Sequence, residues 1–220
     1  MKLKINNIQQ EFDFDNNDIC QLILEDSEMF FNKTNNILKQ LDGGVPECFL
    51  YENDKDMDLS KYAEIVHDYY SFTCNNKKIN SLVQKKILQL CESLDFVGEL
   101  DNLNKTLIKV VQKISDNVDL PIEMNKDIQF NEIVKFMDIE IKEGEELFDK
   151  LIEYINILAK LKSVRLLIFY NLPTYMSMKN IKLILKQCVY NELKVLLICN
   201  KDNNLLVDKK IIIDEELCEI

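Results

Sequence analysis

Two near-continuous apolar runs, residues 164–170 and 193–199, flank an amphipathic segment at residues 177–190. Strands that are apolar on both faces belong in a parallel sheet covered by helices on two sides, because a sheet with one wet face would alternate. This stretch therefore reads as a β-α-β unit around which the remaining elements are organised. Pro173 cannot donate to a ladder and ends the first strand.

Upstream, residues 2–6 and 11–15 alternate polar and apolar with period two and predict a β-hairpin with one dry face. From Asn17 onward, Ile19, Leu22, Ile23, Phe30, Ile37, Leu38 and Leu41 follow helical spacing. They predict one long helix, capped at Asn17 or Asp18 and ended by Gly43 and Gly44. Residues 48–51 predict a short strand, 52–60 a loop, and 62–72 a further strand that contains His67.

Between Asn75 and Lys162 only helical periods occur. Ile79, Leu82, Val83, Ile87, Leu90, Cys91 and Leu94 form one stripe, and Leu100, Leu103, Leu107, Val111 and Ile114 a second, the two helices meeting near Gly98. An acidic, proline-containing connection (116–127) leads to a shorter helix at 131–137 and another at 145–161. Residues 209–213 predict a last strand before an acidic tail. The pattern specifies an α/β fold: a mostly parallel sheet head formed by residues 1–74 and 162–220, with an inserted all-helical leg at 75–161.

Of the 220 residues, 47% are hydrophobic, enough to build a real core. No apolar run reaches 18 residues and the start lacks the apolar region of a secretory signal, so the expectation is a cytoplasmic protein with no membrane partner. Seven cysteines argue against disulfides and zinc: the count is odd, no Cys-x-x-Cys occurs, and Cys20, Cys91, Cys188 and Cys199 fall within apolar patterns.

The four glycines (Gly43, Gly44, Gly98, Gly144) form neither Gly-x-Gly-x-x-Gly nor a Walker A loop, so no phosphate-cradling loop is encoded. His67 is the only histidine and no Gly-x-Ser-x-Gly elbow accompanies it, which removes hydrolytic triads and most zinc chemistry. Glu140-Ile141-Lys142 matches the Glu-x-Lys pair of metal-dependent nucleases, with Asp127 or Asp138 as the upstream carboxylate, but such pairs arise often by chance in a chain that is 30% charged. That nuclease reading and a purely structural interaction module are the alternatives to the reading below.

Two constellations carry function. In the helix at 102–115, Lys105, Lys109 and Lys113 recur every four residues with no acid between them, on an arc roughly opposite Leu103, Leu107 and Ile114. Lys77, Lys78, Lys85 and Lys86 lie on the preceding helix, and Lys33 and Lys39 on the N-terminal one. The formal net charge is −11, which opposes nucleic acid on average. Potential decays over about 10 Å at physiological salt, so a local lysine ridge still attracts phosphate. The second constellation is acidic: Asp116, Asp119, Glu123, Asp127 and Glu132 cluster in sequence, and carboxylates on a loop suit a hard cation such as Ca²⁺.

A long helix carrying Leu24-Glu25-Asp26, a two-helix lobe, Val118-Asp119-Leu120-Pro121-Ile122-Glu123, Leu166-Leu167-Ile168-Phe169-Tyr170-Asn171, Leu196-Leu197-Ile198 and a closing Ile213-Asp214-Glu215 follow the opening hairpin. In this order the chain resembles the small accessory adaptation protein of type II-A CRISPR systems, in the Csn family. The resemblance covers nearly the whole chain and rests on order and pattern. It implies an α/β head like a P-loop ATPase without a working nucleotide site, a helical leg, and a ring-shaped homotetramer with no catalytic activity. It further implies binding of double-stranded DNA ends in the channel, calcium-dependent assembly, and a place in spacer acquisition and antiviral defence beside the spacer integrase complex and the effector nuclease. On this resemblance the DNA-binding residues are Lys105, Lys109 and Lys113 with Lys33, Lys77, Lys78 and Lys85, and the calcium ligands are Asp116, Asp119, Glu123, Asp127 and Glu132. Lys126 and Pro121 depart from the family's pattern within that acidic span.

Overall fold

The computed structural model describes residues 1–93, 96–118, 127–162 and 164–220. Its contacts divide the chain into two units, Met1–Cys74 with Glu143–Ile220, and Asn75–Lys142.

The first unit begins with β1 (Lys2–Ile5), β2 (Phe12–Asp13), β3 (Ile19–Leu24), α1 (Ser27–Leu41), β4 (Cys48–Glu52), β5 (Lys55–Met57), α2 (Leu59–Tyr62) and β6 (Ala63–Val66). The second unit holds α3 (Lys77–Ser93), α4 (Val97–Ser115) and α5 (Phe130–Phe136). The chain returns to the first unit through α6 (Leu147–Leu161), β7 (Leu166–Tyr170), α7 (Leu172–Tyr175), α8 (Met178–Tyr190), β8 (Lys194–Cys199) and β9 (Lys209–Ile213).

The five-stranded sheet has the order β6-β7-β8-β3-β9, and every neighbouring pair in it is parallel. Leu166–Tyr170 and Lys194–Cys199 pair in parallel with Ser177 capping the helix between them, as their apolar runs require. One face of the sheet packs on a core that includes Leu22, Leu24, Ile168, Leu196, Ile198 and Ile211 together with the antiparallel sheet β2-β1-β4-β5. Arg165 at the edge of β7 ties the two sheets with a bidentate ion pair to Glu52 of β4, at 2.9 and 2.6 Å.

Three sequence expectations change here. The helix expected from Asn17 starts at Ser27, and Ile19–Leu24 is instead the strand β3 between β8 and β9, with Cys20 through Leu24 buried. Ile19, Leu22 and Ile23 fit a helical stripe, but they also form a six-residue apolar run, and pairing on both edges decides for the strand. Asp26 then caps α1 by accepting from Met29 N at 2.6 Å. At the other end Gly43 takes φ +87°, and a Cβ on Gly44 would lie 2.7 Å from the Lys39 carbonyl oxygen.

The loop expected at 52–60 contains β5, because Asn53 and Asp54 both adopt positive φ and close a tight hairpin onto β4. The strand expected at 62–72 ends at Val66, so His67 is exposed beyond the strand rather than within it, its ring 6.5 Å from that of Tyr170. Residues 143–161, read from sequence as part of the leg, lie in the first unit. There α6 buries Leu151, Tyr154, Ile155 and Leu158 and packs along α8.

Candidate nucleic-acid interface

The first unit ties its two chain crossings together. The Glu143 carboxylate accepts from Cys74 N at 2.7 Å and from Thr73 Oγ1, and pairs with the Lys150 ammonium at 3.5 Å. Burial alone would raise its pKa, but these donors outweigh burial and hold it below the ordinary 4.5. The second unit repeats the device. Asn75 donates to Ile141 O at 2.9 Å and accepts from Ile141 N at 2.7 Å. In the same bidentate way Asn104, buried on α4, holds the backbone of Ile128 at 3.1 and 2.8 Å. These asparagines and Glu143 escaped the sequence reading. An amide clamped on a distant peptide leaves no local period, and only the isolated placement of Asn104 on an otherwise apolar side of its helix hinted at it.

On α4, Lys105, Lys109 and Lys113 are all exposed. Over eight residues the ridge spans about 12 Å. Asp101 lies one turn before Lys105 and Asp116 follows Lys113 at the helix C-cap, so acids bound the ridge without entering it. On α3, Lys77, Lys85 and Lys86 are exposed and Lys78 is half-buried with an interaction of its own.

Lys33 is different. It is 8% exposed, it donates to Asn6 O at 2.6 Å, and it forms an ion pair with Glu47, itself 8% exposed. The expectation that Lys33 contacts DNA is corrected: its positive charge is spent inside the fold. Sequence could not reveal this, because Glu47 joins it only through the turn after α1.

An open cleft of about 600 Å³ lies at the start of α1, lined by Asp26, Glu28, Lys33, Glu47 and Glu219 among others. In open parallel sheets a nucleotide phosphate rests on a helix N-terminus beyond a strand. Here that position carries the Asp26 carboxylate bonded to Met29 N, with Glu28 in the first turn, a charge distribution that repels phosphate.

Among the five carboxylates expected to hold calcium, Asp119 and Glu123 lie outside the described residues. Asp116 is the C-cap of α4, Asp127 is exposed, and Glu132 accepts from Gln129 N at 2.9 Å in the capping box of α5. The all-oxygen donor set has the chemistry calcium prefers. Among the described residues, however, no group of three or more His, Cys, Asp or Glu side chains is brought together. Glu140 and Lys142 are exposed on either side of Ile141, and no such group of acids gathers beside them among the described residues.

A family model described as CRISPR-associated protein (Cas_Csn2) matches residues 40–217. The chain belongs to the Cas_Csn2 family. Membership gives it a role related to CRISPR adaptation, as an accessory protein of the CRISPR machinery. Comparison with the curated proteins finds no match. The family match runs from the end of α1 into the tail and so includes the whole lysine ridge of this Cas_Csn2 member. No helix among its described residues is long and apolar enough to cross a membrane.

Proposed function

We propose that this Cas_Csn2 member binds double-stranded DNA without sequence preference and without catalysing a reaction, as a ring of four copies that loads at DNA ends and slides during spacer acquisition. The observation that carries the reading is the exposed Lys105, Lys109, Lys113 face on a chain of net charge −11. Ammonium groups contact phosphate and carry no base information, which makes binding sequence-independent and steeply dependent on salt. The spacer integrase complex and the effector nuclease are its partners in that step.

Calcium belongs to the same reading. Four copies of an acidic chain repel one another, and Ca²⁺ held by Asp116, Asp119, Glu123, Asp127 and Glu132 offsets that repulsion. Light scattering should report a larger assembly with Ca²⁺ than with EDTA, and linear DNA should be bound in preference to closed circles.

Changing Lys105, Lys109 and Lys113 together to Ala should weaken duplex binding and flatten its dependence on log salt by roughly one or more, since each lost phosphate contact removes about 0.9 from the slope. An unchanged slope overturns the assignment. Cleavage of duplex in Mg²⁺ or Mn²⁺ that Glu140→Ala abolishes would instead establish the nuclease.

A further inference from the structure

The second unit is poorly closed in the single chain. Among its described residues only Ile79 and Val134 are fully buried apolar side chains, while Phe136 is 88% exposed, Met137 63%, Ile114 54% and Val110 49%. A helical unit of this size cannot be held by so small a core, and exposed apolar area on this scale marks a contact surface.

The exposure follows a pattern. Along α4 and its N-cap, Phe96, Leu100, Leu103, Leu107, Val110 and Ile114 succeed one another at spacings of four and three. That is the seam of a two-helix coiled coil, and it is narrower than the face a helix lays on an ordinary globular core. Leu103 and Leu107 also form one wall of an open cleft of about 670 Å³, whose other wall is Ile133, Phe136 and Met137 of α5 and its end.

Charge identifies what lies on the seam. The edge just before the Leu100, Leu107 and Ile114 positions carries Glu99, Thr106 and Lys113. If two copies of α4 run antiparallel about a two-fold axis, this edge meets itself reversed, so Glu99 of each copy faces Lys113 of the other and Thr106 faces its own equivalent. A parallel pair would set Glu99 against Asn104 and Lys113 against Val118, with no charge match. Antiparallel packing also opposes the helix dipoles favourably. Lys105 and Lys109 stay on the outer side of such a pair.

We infer that α4 is a self-association helix, packing antiparallel against α4 of a second copy of this chain along Leu103, Leu107, Val110 and Ile114, with Val110 and Ile114 of each copy filling the apolar cleft of the other. The pairing deepens the proposed assembly by naming one of its interfaces, and it rests on that reading only in requiring the chain to associate with itself.

The test uses the full chain with exposed Cys218 changed to Ser. Under mild oxidation Thr106→Cys should form a disulfide-linked dimer, and a mixture of Glu99→Cys with Lys113→Cys should form the mixed dimer, neither product arising in the parent. Val110→Glu, at a site half open to solvent, should leave the helical signal intact and weaken self-association at least tenfold. Glu99→Lys and Lys113→Glu should each weaken it, and the double variant should recover it.

Absence of the crosslinks together with an unchanged assembly for Val110→Glu overturns the pairing and leaves the ring to another surface. A monomer at all concentrations, with Thr106→Cys protected because residues 119–126 fold over the seam, overturns it equally. DNA binding separates the two proposals: Lys105→Ala with Lys109→Ala should reduce binding without changing the assembly. Crosslinked dimers that ignore DNA overturn the DNA reading and sustain this one.

Discussion

Single residues in this protein owe their roles to partners far away in sequence. Lys33 and Glu47 are a buried pair, and removing one member leaves an uncompensated charge inside. Lys33→Met should therefore destabilise the fold by about 3 kcal/mol in denaturant titrations, while DNA affinity per folded molecule stays unchanged. A stable Lys33→Met protein with weakened DNA binding would restore Lys33 to the interface. Glu143 gives a residue-scale pH effect. Its folded pKa lies below the ordinary 4.5, so its stabilisation is complete above that value and is lost as pH falls through the folded one. Glu143→Gln should cost about 1–2 kcal/mol at pH 7, and the difference from the parent should shrink at acid pH. A difference independent of pH would show that the carboxylate's charge contributes nothing.

At the scale of elements, the apolar runs of β7 and β8 and the stripe of α8 were legible because each has only one reading. A run that is apolar on both faces for five or six residues and bounded by turn residues fits a covered parallel strand. Ile19–Leu24 was ambiguous for the opposite reason, since three of its residues also fall on a helical stripe with Phe30 and Ile37. What separates strand from helix there is the Glu25-Asp26 break, where Asp26 caps α1. Asp26→Ala should lower stability by about 1 kcal/mol and Asp26→Asn by much less, because asparagine caps nearly as well. Equal losses for both variants would mean that the carboxylate's charge, and not its cap, supports this turn.

For the whole molecule, net charge and local charge point in opposite directions. A chain of −11 repels DNA at long range, yet within about 10 Å of α4 the three lysines dominate, and screening by salt makes the near field the one that matters. Stability is distributed as unevenly as charge. The first unit buries apolar residues on both faces of its parallel sheet, whereas the described part of the second buries almost none. Backbone amides of β3, β7 and β8 should accordingly exchange with solvent orders of magnitude more slowly than those of α4. Protection of α4 should rise with protein concentration as its seam is covered. Uniform protection across both units would refute this division of stability.

The sequence by itself determined those features that depend on neighbours along the chain: the period of each helix, the doubly apolar strands of the β-α-β unit, the hairpin at the start, and the four-residue recurrence of Lys105, Lys109 and Lys113. Only the tertiary structure decided which edges and faces meet. It put Ile19–Leu24 between two strands from the far end of the chain, drew Lys33 inward against Glu47, and gave α6 to the first unit. Periodicity is set by bond geometry within a few residues, whereas burial and pairing are set by contacts across more than a hundred, and no local pattern encodes those.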